Sequence, residues 1–201
     1  MITKIGVICQ DSTSYGFLDG IRHRLGCKAE IIDPPAAIGR TRNLTYRAAR
    51  DAWAYFRKKG VQLVVRFTDA DWARWQNVLR NELGCFPNQA RSVTICGVAV
   101  EAVEDWLALD RKYVSNELGV PAAELDDAKN RVDVVKGAIR RAADVAGQTK
   151  RQFVARFIRE VPPDVFRGWL QKDRALERFY DDCRAAATGS DCETTNEKDA
   201  T

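Results

Sequence analysis

The sequence predicts an α/β fold, a mostly parallel sheet flanked by helices, followed by an all-helical C-terminal extension. Three observations predict it. Strand-like and helix-like stretches alternate through the first 118 residues, the pattern of parallel βαβ units. Everything after Pro121 has helical periodicity, interrupted only at Gly147 and Pro162-Pro163. The chain has 201 residues, 45% apolar and 30% charged, which supports a sizeable core. It holds no apolar run of the roughly 18 residues that a spanning helix needs.

Ile5 to Cys9 is a short apolar run before turn residues and is expected to be a buried strand. Ser12, Thr13 or Ser14 can cap a helix over Tyr15 to Leu25, where Phe17, Leu18, Ile21 and Leu25 recur at helical spacing. Gly26 ends it. Lys28 to Ile32 is a second strand, stopped by Asp33-Pro34-Pro35, and residues 33–42 are expected to form a loop. Asn43 to Lys59 is expected to be a helix with Leu44, Ala48, Ala52, Tyr55 and Phe56 along one side, ended by Gly60. Val61 to Phe67 is the clearest strand. Trp72 to Leu83 is helical up to Gly84. Ser92 to Val98 is another strand, Glu101 to Leu118 another helix, and Pro121 opens the next at its first turn. This divides the chain into an α/β domain at 1–120, a helical extension packed on it at 121–187, and a polar, acidic, disordered tail at 188–201.

Composition excludes several chemistries. His23 is the only histidine, which rules against a Ser-His-Asp triad or a His-based metal site. The six cysteines stand singly, without the paired spacing of zinc sites, and are expected to be mostly small buried residues. No P-loop motif occurs. The first dozen residues carry one Lys and a short apolar run without a signal-peptide core, so the expected location is the cytoplasm. Acid-base or metal chemistry would therefore run on carboxylates. The net charge of +4 is segregated: residues 101–133 carry nine acids and four bases, residues 136–178 eleven bases and five acids. That pattern suggests a hard-cation site near a phosphate-facing surface, or two solvated helical faces.

In an open parallel sheet, functional groups collect beyond the carboxyl ends of the strands. Gln10 and Asp11 follow the first strand. Asp69 and Asp71 follow the Val61–Phe67 run. Glu101, Glu104, Asp105 and Asp110 follow the Ser92–Val98 run. Such clusters repel one another at neutral pH, and a cation such as Mg²⁺ (or Mn²⁺) relieves the repulsion. Two carboxylates separated by one residue in an extended segment point to the same side, so Asp69 and Asp71 can reach one ion. Either can also be the N-cap of the helix expected at Trp72. Glu101, Glu104 and Asp105 can share a helix face, or complement the helix dipole.

The stretch Val64-Val65-Arg66-Phe67-Thr68-Asp69-Ala70-Asp71, with acid after the first strand, resembles the TOPRIM fold, a Rossmann-like fold of topoisomerases, primases and OLD-type nucleases. Glu104-Asp105-Trp106-Leu107-Ala108-Leu109-Asp110 and the helix Lys172 to Arg184 are similar to elements of small TOPRIM-like proteins encoded beside ABC/OLD-type ATPases in bacterial antiphage loci. The resemblance implies a Mg²⁺-dependent nuclease effector of antiviral defence, acting with an ATPase subunit as a hetero-oligomer. It implies Asp69, Asp71, Glu101 and Glu104 as metal ligands, and Asp11, Asp69, Asp71 and Glu104 as the catalytic set. Gln10 stands where the family carries its Glu, and Asp11 where it carries Gly. Either Asp11 substitutes for that base, or the chain is a catalytically inactive subunit that docks on and regulates the ATPase.

Arginine binds phosphate with a two-pronged fork. Arg40, Arg42 and Arg47 form one basic run, and Lys136, Arg140 and Arg141 begin another. These are the expected nucleic-acid contacts, DNA or RNA. Trp72 and Trp75 can stack on bases, or belong to the core. A receiver-like domain with a phosphorylatable Asp69 shares the acid at the first strand end, but the late Lys of such domains has no clear counterpart.

Overall fold

The computed structural model describes residues 2–35, 38, 44–127 and 130–189. Four strands form one parallel sheet: β1 (Lys4–Cys9), β2 (Glu30–Ile32), β3 (Leu63–Asp69) and β4 (Thr94–Ala99), in the order β2-β1-β3-β4. The crossover helices are α1 (Ser12–Arg24) between β1 and β2, α2 (Tyr46–Lys58) between β2 and β3, and α3 (Trp75–Gly84) with α4 (Asn88–Arg91) between β3 and β4. α5 (Val103–Leu107) and α6 (Arg111–Leu118) follow β4. The extension is α7 (Ala122–Asp126), α8 (Arg131–Val145), α9 (Lys150–Glu160), α10 (Pro163–Lys172) and α11 (Arg174–Thr188). The architecture is therefore α/β with a four-stranded parallel sheet and a helical C-terminal region. No helix among the described residues is long and apolar enough to cross a membrane.

Alternation of side chains across the pleat sorts the sheet into two faces. Val7 and Cys9 of β1, and Val65 and Phe67 of β3, face a large core shared with α1, α5 and helices α8 to α11. Ile8 and Val64 face a smaller core with Ala49, Ala52 and Phe56 of α2. The extension thus shares its main core with the sheet. At its centre Trp106 packs against Phe17, Phe67 and Phe179, with ring centroids 5.5, 5.4 and 6.3 Å away.

The tightest helix contact is α1 on α9. Gly16 and Gly20 lie one turn apart on α1. A Cβ at Gly16 would sit 2.6 Å from the Arg151 carbonyl oxygen, and one at Gly20 2.5 Å from Ile158 Cβ. Only bare backbone fits at either position.

Several boundaries differ from expectation, each with a local cause. The N-cap of α1 is Asp11, whose carboxylate accepts the Ser14 N–H at 2.8 Å, in place of a serine or threonine. Thr45 caps α2 by accepting the Ala48 N–H at 3.2 Å, so the helix begins three residues later than Asn43. The helix expected at Trp72 begins at Trp75, because Asp71 and Trp72 adopt left-handed backbone with φ 48° and 67°. The helix expected over Glu101 to Leu118 is two helices, since Asp110 accepts the Tyr113 N–H and restarts the chain. α11 runs through Thr188, and the rest of the expected tail, from residue 190, lies outside the described residues.

Candidate functional site

β1 and β3 are central neighbours whose connections leave in opposite directions. The crevice beyond their carboxyl ends is the switch point at which open α/β sheets place ligands. Cys9 pairs with Phe67, and continuing that register puts Gln10 level with Thr68 and Asp11 level with Asp69. Side-chain alternation then divides the two levels. Gln10 faces the α2 side, where its amide donates to Thr68 Oγ1 at 2.9 Å. Asp69 faces the α1 side, as Phe67 does.

Asp69 is the best-placed acid. It ends β3 opposite Ala99 and is half-buried. Its Oδ1 is buried without a hydrogen-bond partner among the described residues. Burial pushes its carboxyl from 3.8 up to about 7, and the neighbouring charges of Glu104, Asp11 and Asp71 add to the rise, while Lys136 opposes it. A carboxylate desolvated among other carboxylates is the arrangement that marks functional sites.

Glu104 sits on α5 with 1% of its surface exposed. Lys150 at the start of α9 reaches it, Nζ to Oε1 at 3.4 Å. Asp11 contributes its charge to Asp69 while capping α1. Asp71 is exposed, and its left-handed backbone takes it off the strand. The same-side geometry expected of an extended Asp69-x-Asp71 pair is therefore not present, and neither residue caps α3, whose N-cap is Arg74. Glu101 belongs to a second group. Burial raises its carboxyl, Asp105 adds to the rise, and Arg131 and Lys136 oppose it. Its Oε2 is also buried without a hydrogen-bond partner.

Among the described residues, no three of His, Cys, Asp and Glu stand close enough together to hold one ion. The four expected ligands thus do not form a protein-only metal centre. Asp69 and Glu104 still offer the chemistry Mg²⁺ takes. That ion is usually held by one or two carboxylates completed by water and substrate phosphate, and the Asp69 oxygen is an unmet acceptor.

The expected basic surface divides similarly. Lys136 is half-buried and acts on Asp69 and Glu101, so it belongs to the acidic edge. Arg140 and Arg141 are exposed on α8. Arg47 is exposed on α2, 4.0 Å from Asp51. Arg40 and Arg42 lie outside the described residues. Trp75 packs partly into the core, whereas Trp72 is 66% exposed beside the crevice.

Three side-chain pairings were not visible in the sequence. Lys150 approaches Glu104 from 46 residues away, and nothing local announces it. Thr68 holds Gln10. Arg66, fully buried in β3, pairs with Glu82 of α3 at 2.7 Å and donates to the Phe67 carbonyl at 3.1 Å. An arginine inside an apolar strand was a local hint of that pair. The chain matches no protein-family model, no curated protein and no solved structure.

Proposed function

We propose that the chain is a TOPRIM-like, Mg²⁺-dependent nuclease effector of antiviral defence that works with an ABC/OLD-type ATPase. The observation that carries this reading is Asp69, a carboxyl with one buried, partner-less oxygen, held near neutral protonation among Glu104, Asp11 and Asp71 at the β1/β3 switch point. Asp69 and Glu104 would hold the ion. When bound there, Mg²⁺ supplies neutralisation of the charge that develops on phosphorus and a more acidic water.

The chain's own groups do the rest. Lys136 and Lys150 place ammonium charge at the same edge and attract a phosphodiester there. Gln10, turned to Thr68, cannot take a proton, so the base role falls to Asp11. Trp72 offers an exposed ring for a base.

A second reading, a catalytically inactive subunit that docks on the ATPase, has its own support. Gln10 is amide rather than acid, and Lys150 already balances Glu104. The two readings part in one experiment. The chain is titrated calorimetrically with Mg²⁺ and Mn²⁺, as wild type and with Asp69→Ala plus Asp71→Ala. It is then incubated with plasmid, alone and with a candidate ABC/OLD-type ATPase. Metal heat lost in the variant, together with nicking that needs metal, supports the nuclease. Absence of metal heat in both samples removes it and leaves the docking subunit.

A further inference from the structure

A cleft of about 470 Å³ is lined by Asp105, Ala108, Leu109, Arg111, Arg131 and Lys172. Its volume is that of a small-molecule site. Three cations reach it from three elements: Arg111 is the first residue of α6, Arg131 the first of α8, and Lys172 the last of α10. A positive charge at a helix start opposes the helix dipole, so the two guanidiniums are not placed there for the dipole's sake. At these same ends the Asp110 carboxylate caps α6 and Asp133 lies in the first turn of α8. Asn130 makes no side-chain cap for α8, and the Asp127 carbonyl accepts the Arg131 N–H at 2.9 Å.

Both arginines face carboxylates, and among the described ion pairs Lys172 has none. Asp126 pairs with Arg111. Arg131 Nε lies 2.9 Å from Asp105 Oδ1, yet this buried N–H is not aligned on that oxygen and has no other acceptor among the described residues. Lys172 donates to the Leu109 carbonyl at 2.9 Å, which leaves two of its three N–H groups. Ala108 and Leu109 supply an apolar wall beside these donors. Phosphate is the anion whose several oxygens accept from two arginine forks and an ammonium at once.

We propose that this cleft binds the phosphate end of a small phosphorylated ligand of nucleotide size, independently of the chemistry at Asp69. The test is calorimetric titration of the full chain with inorganic pyrophosphate in EDTA, which separates this cleft from any metal-dependent site. A parallel titration uses a short oligothymidylate with a 5′-hydroxyl. Pyrophosphate is expected to bind. Arg111→Gln and Lys172→Gln are each expected to weaken it by about tenfold or more, the effect of losing a charge-assisted hydrogen bond. Lys172→Arg retains binding, and Arg159→Gln, an exposed change elsewhere on α9, leaves it unaltered. Circular dichroism establishes that each variant is folded, and if Arg111→Gln is not, the two Lys172 variants decide. No binding at about 10 mM pyrophosphate, a level at which even weak sites fill, overturns the proposal. So does binding indifferent to Arg111 and Lys172, or oligothymidylate binding through these residues without pyrophosphate binding.

Discussion

The substitution Asp69→Asn should stabilise the chain, by an amount that grows as pH rises from the unfolded carboxyl's range to that of folded Asp69. Its carboxyl is raised from 3.8 to about 7 in the folded state, first by burial and then by Glu104 and Asp11. Between those values the folded chain holds a proton that the unfolded chain has released. Stability therefore falls as pH rises through that window, and the full cost is present above it. A difference of this size corresponds to about 4 kcal/mol at 1.36 kcal/mol per pH unit. Solvent at the mouth of the crevice screens part of it, leaving about 2 kcal/mol. Asparagine keeps the shape of the side chain and a neutral polar head, and so removes the ionisation alone. Urea denaturation followed by circular dichroism at about pH 3, 5.5 and 8 reads the effect, the lowest point lying below the unfolded carboxyl's pKa. The variant should match wild type at the lowest pH and exceed it by about 2 kcal/mol at the highest. Equal stability of the two proteins at the highest pH would refute the claim that Asp69 is an electrostatically strained carboxylate.

Other outcomes follow from the same geometry. Lys150→Met should cost about 2–3 kcal/mol, because Glu104 stays buried and loses its ammonium, and a denaturant melt measures it. Glu82→Ala should cost about 3–5 kcal/mol by leaving Arg66 buried without its carboxylate, and Arg66→Met with Glu82→Leu should recover most of that loss in the same melt. Gly20→Ala should destabilise by roughly 1–2 kcal/mol, since overpacking against Ile158 outweighs the helical gain of alanine. Gly168→Ala, within α10 and with nothing within 4 Å of the new Cβ, should instead stabilise by up to about 1 kcal/mol. Paired thermal melts of the two glycine variants decide how closely α1 and α9 approach.

All four strands were legible because each is a short apolar run between turn residues, and their order along the chain announced a parallel sheet. Asp69 was legible as the acid at a strand end. Asp71 was misjudged because spacing assumes extended backbone, and residues 71 and 72 turn left-handed. The break within 101–118 was hidden by continuous helical composition. Asp110 was visible, but its choice of the Tyr113 N–H over solvent is a tertiary outcome. The Lys150–Glu104 pair and the cleft at Arg131 join residues far apart in sequence, and no local pattern encodes such meetings. Gly16 and Gly20 were in plain view at one-turn spacing, yet their partner helix was not.

The sharing of one core between sheet and extension bears on how the protein is made. Phe67 and Trp106 rest against Phe179 of α11, and α1 rests against α9 through two glycines. During synthesis the α/β half leaves the ribosome first, with those surfaces still wet. It stays unfinished until the last helix has emerged, so a ribosome stalled near residue 120 would display a sticky, protease-sensitive nascent chain rather than a folded domain.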